Sequence, residues 1–301
     1  MEPVIRNINT ADVVVIGGIN MDISGRPEGR LILRDSNPGR VSMHAGGVGR
    51  NIAHDLCLLG VQTSLIAPLG DDVYGRMLLH RCEETGLDMS MAPVLSDRRT
   101  SVYLYLADEK GDMLSAVSDM EITAFLTPEL LEPLLPRINA AKAVVMEANL
   151  SEETLLFLAE NCTVPLYADC VSTGKAERLH AALPRLTCLK PNALEAEKLT
   201  GITEPRRAVR ALLDAGVQRV FLSLGAGGMI ASDGTQVLSL PCEQAQIRNT
   251  TGAGDAVTAA IVYAGVMGLG LESSLRLALK AGALTCACDG ANSTALKELR
   301  L

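Results

Sequence analysis

No tryptophan occurs among the 301 residues, and histidine occurs only four times. The eight cysteines are scattered, none forms a Cys-x-x-Cys, and the histidines do not cluster with them. This argues against both a zinc site and a disulfide scaffold and predicts reduced thiols in a cytoplasm. No apolar run is long enough to span a membrane, and the polar segment 1–10 lacks the apolar core of a signal peptide. Positive charge is scarce too. Lys plus Arg number 27 against 35 Asp plus Glu, a formal net charge of -8, which argues against nucleic acid or an anionic membrane as a partner. Any phosphate this chain binds must then be held by local amides and a metal. Internal repeats and low-complexity segments are absent. What is present is an ordinary globular composition, long enough for one α/β domain with an appendage or for two small ones.

The most informative stretch is 249–255, Asn-Thr-Thr-Gly-Ala-Gly-Asp. It stands between a strand-like approach at 244–248 and a small-residue run at 256–268 that reads as a buried helix. Gly252 and Gly254 leave backbone amides bare, and the helix behind them points its positive end at the same place. Together these make an anion site, and phosphate is the usual anion. Asp255 in the first turn repels such a ligand, so its presence needs a reason. Abstraction of a proton from a hydroxyl that attacks phosphorus is the most economical one. A glycine turn ahead of a core helix, with Asp255 as a helix-start residue, accounts for the same residues without any chemistry.

Residues 12–16 (Asp-Val-Val-Val-Ile) read as a strand buried on both faces. It ends in a turn carrying Asn20 and Asp22, two apart and so on one face of an extended backbone, as suits the vicinal hydroxyls of a sugar. An ordinary Asx turn suits them equally well. Residues 45–51 (Ala-Gly-Gly-Val-Gly-Arg-Asn) open a helix that stops at Gly60; Gly46, Gly47 and Asn51 lie near the same opening. The spacing is not that of a dinucleotide fingerprint, so a hydride-transfer enzyme is a distant reading. Residues 61–69 read as one strand, followed by a helix to about Glu84.

Two hairpins, around Asp35 and around 108–112, form a small extra sheet. Residues 24–44 and 98–119 thus read as a lid inserted in a single domain spanning 1–301, able to exclude water. From Thr127 helices and strands alternate, the mark of a parallel sheet with crossover helices. The strand ends carry Glu147 with Asn149, then Asp169, Asn192 with Glu195, and Ser223 with Gly225, a polar row along one sheet edge. Asn192 and Glu195 suit a capping box and equally suit magnesium held through water. Gly225, Gly227 and Gly228 form a second glycine turn, suited to a nucleotide. Residues 281–289 read as a helix stopped by Gly290, and 277–284 with the Ser293 loop as the wall of an adenine pocket.

In this order the motifs resemble the ribokinase or PfkB family of carbohydrate and nucleoside kinases, over nearly the whole chain. The resemblance implies a doubly wound, mostly parallel α/β sheet flanked by helices, with a β lid, and an ATP- and Mg²⁺-dependent kinase. It implies Asp255 as base, with Gly252, Ala253 and Gly254 as the anion hole. Asn20, Asp22, Gly46, Gly47 and Asn51 would hold the sugar. Asn192, Ser223, Gly225, Gly227, Gly228 and Thr251 would hold the nucleotide, and Glu195 with Asn192 the magnesium. The family often uses potassium. Its first ligand is commonly an Asp where this chain has Asn249, so Asn249, Thr285 and Gly290 are candidates for a site whose usual charge is missing. Within the family, 35–40, 46–53, 100–103 and 149–151 are most similar to the pseudouridine kinases, which makes Ser101, Asp119, Asn149 and Lys175 candidates for the acceptor side. Ribose, a fructose phosphate or adenosine as acceptor, and a non-catalytic nucleotide-binding homologue, are the alternatives. The exposed edges of the lid invite a homodimer.

Overall fold

The computed structural model describes residues 11–301; the polar segment 1–10 lies outside the described residues. The chain begins with β1 (Val13–Ile16), β2 (Asn20–Pro27) and β3 (Gly39–Gly46), then α1 (Val48–Leu58), β4 (Thr63–Ile66), β5 (Leu69–Gly70) and α2 (Val73–Glu84). Next come β6 (Val94–Leu95), β7 (Val102–Ala107), β8 (Met113–Asp119), two short helices α3 (Pro128–Leu131) and α4 (Leu135–Ile138), β9 (Ala143–Glu147) and α5 (Glu152–Asn161). The alternating half contains β10 (Leu166–Asp169), α6 (Thr173–Ala176), β11 (Cys188–Lys190), α7 (Ala193–Thr200), α8 (Pro205–Asp214) and β12 (Arg219–Ser223). It closes with β13 (Met229–Ser232), β14 (Val237–Leu240), α9 (Ala253–Val266) and α10 (Leu271–Cys286).

Eight strands form the main sheet, in the order β14-β13-β12-β11-β10-β9-β1-β4. All neighbours are parallel except β12–β13 and β13–β14. Strand β1 shows why the sheet is buried on both sides. Val13 and Val15 face the layer built by α1, α9 and α10, whereas Val14 and Ile16 face the layer of α5, α7 and α8. All four are almost fully buried, each contributing about 1.5–3 kcal/mol. Helix α9 is apolar all round and buried from Ala256 to Ala264, as a helix between a sheet and another helix must be.

The smaller sheet has the order β3-β2-β7-β8, with β2 and β7 parallel and the other pairs antiparallel. Strand alternation gives it two unlike faces. Asp22 pairs with His44 and Tyr103, and Ser24 with Ser42 and Tyr105, so these share the polar face. Val41, Leu104 and Val117 stand exposed on the other.

Four expectations need correction. Residues 244–248 are not a strand. They run as exposed irregular chain whose Arg248 N–H donates to the Cys286 carbonyl, because no sheet edge lies alongside. The stretch 61–69 is not one strand: Pro68 interrupts the ladder, and β5 pairs separately with β6. Helix α9 starts three residues early, so Ala253 and Gly254 lie within it. Helix α10 starts at Leu271 and ends at Cys286, short of Gly290. Its amphipathic first half, with Leu275 and Leu279 buried beside exposed Glu272 and Arg276, masked the boundary.

Candidate active site

At α9 the chain reaches its helix start through Gly252, whose φ is +78°. A side chain is excluded there twice. The left-handed backbone disfavours it, and a methyl would run into the Ala291 carbonyl oxygen. Among the described residues, the N–H groups of Gly252, Gly254 and Asp255 donate to no protein acceptor. Three bare amides at a helix N-terminus fit an anion such as a nucleotide's phosphate.

The Asp255 side chain accepts from Asn51 Nδ2 at 2.7 Å. Burial pushes its carboxyl up to about 7, and the negative charge of Asp169 adds to the effect. The Asn51 bond, Lys190 and Arg50 pull the other way. A carboxyl poised near neutrality suits a general base. Beneath it lies a pair that the sequence reading passed over. Lys190 Nζ sits 2.8 Å from Asp169 Oδ2, both nearly fully buried, and Thr258 Oγ1 donates to the same oxygen at 2.6 Å. Burial works against the charge on Lys190, but Asp169, Glu195 and Asp255 together outweigh it and raise the pKa. Lys190 also approaches the Cα of Gly254. A lysine ending an apolar strand just before Pro191 is the signal that would have found it.

On the sugar side, Asn20 Nδ2 donates to Asp22 Oδ1, and burial raises the Asp22 carboxyl. Gly46 lies across from Asn20 in the β2–β3 ladder. A methyl on it would occupy the place of the Asp22 carboxylate, so glycine is required for that carboxylate to lie over β3. The turn at Gly47 (φ +98°) carries the chain from β3 into α1. Arg50 then links this side to Asp255: it is buried, contacts the Ala45 carbonyl and Asn51 Oδ1, and donates to Asn292 Oδ1 at 2.8 Å. Neither Arg50 nor Asn292 carries a role in the sequence reading. Their bond spans 242 positions, which no local pattern reveals.

Glu147 is fully buried and accepts from the N–H groups of Gly18 and Asn149. Lys175 reaches back from α6 to Asn149 Oδ1, and burial lowers its pKa. Ser101 begins the run of β7 beside Met21, and its Oγ is buried without a partner. Asp119 lies 3.5 Å from Arg99 at the surface. Asn192 and Glu195 close a complete capping box, Glu195 N–H to Asn192 Oδ1 at 2.9 Å and Asn192 N–H to Glu195 Oε2 at 2.8 Å. That leaves Glu195 Oε1 without a protein partner among the described residues. Burial raises the Glu195 carboxyl while the Lys190 charge opposes the rise, and the pair, with its free oxygen, fits a magnesium ion. Asn192 and Ser223 meet as a parallel bridge, and Gly225–Gly227 turns tightly behind them into Gly228 at φ +91°.

For a monovalent cation the residues fit in part. Thr285 Oγ1 is buried without a partner. The Asn249 amide, however, is spent locally, accepting from the Thr251 N–H at 2.9 Å and donating to the Asp289 carbonyl at 3.3 Å. A cleft of about 1100 Å³ opens between the polar face of the smaller sheet and this loop region, with Asp22, Arg50, Tyr103, Asn249, Thr251 and Gly290 in its wall. Asp255, Asn20, Asn51, Ser101, Asn149 and Lys175 lie outside that wall.

Residues 10–298 match the model of the pfkB family carbohydrate kinases. The chain is 37% identical to a pseudouridine kinase of Escherichia coli strain K12 over 289 residues, 93% of this chain and 92% of that protein. A solved carbohydrate kinase from Agrobacterium tumefaciens superposes with a TM-score of 0.85 at 31% identity, covering 95% of each chain. The Arabidopsis thaliana ribokinase complexed with ribose and ATP superposes with a TM-score of 0.86 at 23% identity, covering 96% and 98%. The fold is therefore ribokinase-like, and the chain belongs to the pfkB family of carbohydrate kinases, phosphotransferases with an alcohol group as acceptor.

Proposed function

We propose that this kinase transfers the γ-phosphoryl group of ATP to the ribose 5′-hydroxyl of pseudouridine, giving pseudouridine 5′-phosphate and ADP. The observation that carries the chemistry is Asp255, held by Asn51 among the unsatisfied amides of Gly252 and Gly254. Asp255 takes the proton of the attacking hydroxyl while the Gly252, Ala253 and Gly254 backbone receives the charge building on the phosphoryl oxygens. Asp22, in the cleft wall, and Asn20, which donates to it, orient the sugar through its remaining hydroxyls beside Gly46 and Gly47. Asn192 and Glu195 hold Mg²⁺ through water; when bound, the metal neutralises phosphate oxygens. Ser223, Gly225, Gly227, Gly228 and Thr251 cradle the nucleotide. The smaller sheet serves as a lid that excludes water, and its exposed apolar face, with Val41, Leu104 and Val117, pairs with a second copy. Likeness to the Escherichia coli enzyme supports pseudouridine as acceptor. The buried Ser101 hydroxyl and the polar face of the lid sheet offer hydrogen bonds beyond those a free ribose needs.

A panel of pseudouridine, uridine, adenosine, ribose and fructose 6-phosphate, read by coupled ADP release with ATP and Mg²⁺, tests the assignment. Pseudouridine should give the highest kcat/KM. A higher value for ribose or adenosine would move the assignment to another acceptor of the family, and binding of ATP with no turnover on any acceptor would point to a non-catalytic homologue.

A further inference from the structure

Arg50 stands where three parts of the molecule meet. A guanidinium has five N–H donors in a fixed plane, and here every one has an acceptor. Nε points to the Gly46 carbonyl at 3.5 Å. Nη1 donates to Asn292 Oδ1 at 2.8 Å and faces His54 Nδ1 at 3.2 Å. Nη2 contacts the Ala45 carbonyl and Asn51 Oδ1. Burial, with the Arg50 charge beside it, lowers His54 to about 4, so its ring is neutral and accepts. The acceptors therefore come from the end of β3, from the first two turns of α1, and from the loop after α10.

The Asn51 contact has a directional consequence. A carboxamide has one oxygen and one NH₂ group, so anchoring the oxygen on Arg50 leaves the NH₂ facing Asp255, as observed. Were the amide turned over, its oxygen would face a carboxylate and the bond would become a repulsion. Asn292 is fixed in turn: its Nδ2 donates to the Asn51 carbonyl at 3.1 Å and to Asp55 Oδ1 at 2.8 Å. Asp55 is fully buried on α1, and its second oxygen has no partner. An arrangement of this kind is expensive to bury, which argues for a role beyond packing.

We propose that Arg50 is a positioning residue for phosphoryl transfer: its saturated guanidinium fixes the sense of the Asn51 amide, and so aims Asn51 Nδ2 at Asp255, while tying the sugar-side end of β3 to the same centre. The inference rests on the reading of Asp255 as the base. It makes Arg50 irreplaceable by lysine, whose three donors cannot reach acceptors on three elements.

The test uses the full-length protein, with ADP release measured against pseudouridine or, failing that, whichever of ribose and adenosine the parent phosphorylates. Arg50→Lys keeps the positive charge and removes the fork. The expected result is a drop in kcat of about 100-fold, with the KM for ATP changed by less than about twofold. The acidic limb of the kcat–pH profile should also move upward, because Asp255 loses the Asn51 bond that lowers its pKa. The other groups facing Asp255, namely Asp169, Lys190 and Asp55, are unaltered, and the charge at position 50 is retained. A limb shift therefore reports lost orientation. If kcat and the limb both stay at parental values while only Tm falls, Arg50 is merely structural and the proposal is overturned. Should Arg50→Lys fail to fold, Asn292→Ala removes one acceptor and leaves the arginine. It should lower kcat about tenfold with a limb shift of the same sign, and an unmoved kcat and limb overturn the proposal equally. Asp255→Asn, run in parallel, separates the two layers: an inactive Asp255→Asn beside a normal Arg50→Lys sinks only the positioning role, whereas an active Asp255→Asn sinks the base assignment and this inference with it.

Discussion

Helices α1 and α9 pack against each other and both open from glycines, yet the third residue of each carries the opposite charge, Arg50 in one and Asp255 in the other. At α1 the Arg50 N–H donates to the Gly18 carbonyl at 3.1 Å, while the N–H groups of Val48 and Gly49 have no protein acceptor among the described residues. The buried Arg50 guanidinium belongs to that turn and reaches back to the Gly46 carbonyl. At α9 the amides of Gly252, Gly254 and Asp255 have no protein acceptor, and the nearest side chain is a carboxylate. One helix start therefore sets its bare amides beside a buried cation, and the other sets them beside a buried carboxylate. Helix α7 differs from both, its start closed by its own Asn192 and Glu195 while one carboxylate oxygen stays free. Neither glycine content nor bare amides separate the two turns; the side chain of the third residue does.

The comparison breaks most sharply at Asp255. Asp255→Asn should lower kcat about 10³-fold or more while the Kd for ATP, by calorimetry, stays near its parental value; retained turnover would make the open helix start a binding feature only. Next is a matched pair of glycine substitutions. Gly252→Ala forces a side chain into the left-handed region and against Ala291, and should lower kcat about 100-fold by displacing the amides. Gly47→Ala meets the same backbone penalty at φ +98° beside the Gly18 carbonyl. It should act mainly on Tm and on the KM for the acceptor, since the contact proposed at Gly47 is with the sugar. Equal kcat losses in the two variants would erase the distinction.

The smallest expected effect lies in pH. A base must be deprotonated to act, so kcat should rise with pH through about 7, the value to which burial and Asp169 push Asp255. Stability moves the other way. Because the folded pKa stands above the unfolded value of 3.8, Asp255 is best tolerated below about pH 4 and costs stability as pH rises from there through about 7. Asp255→Asn should therefore melt a few degrees above the parent at pH 8, with the two converging near pH 4. A parent more stable than Asp255→Asn at pH 8 would contradict the burial of that carboxylate.

The sequence by itself determined the architecture and the position of most strands. Runs such as Val13–Ile16 and Cys188–Lys190 are too apolar and too short for anything but strands buried on both faces. The family followed from local motifs such as Asn192 with Glu195 and Gly252–Asp255, because turn chemistry and capping act over three or four residues. Boundaries set by neighbours were not legible there. Residues 244–248 have strand-like composition but no partner edge, and α10 begins ten residues before its small-residue run. Only the tertiary structure decided the electrostatics of the site: that Lys190 pairs with Asp169 beneath Asp255, that Arg50 saturates its donors on three elements, and that Asn292 reaches back to α1. The reason is physical. A pKa or an amide's orientation depends on burial and on charges brought within a few ångströms by folding, and a linear pattern carries no information about which distant residues will arrive there.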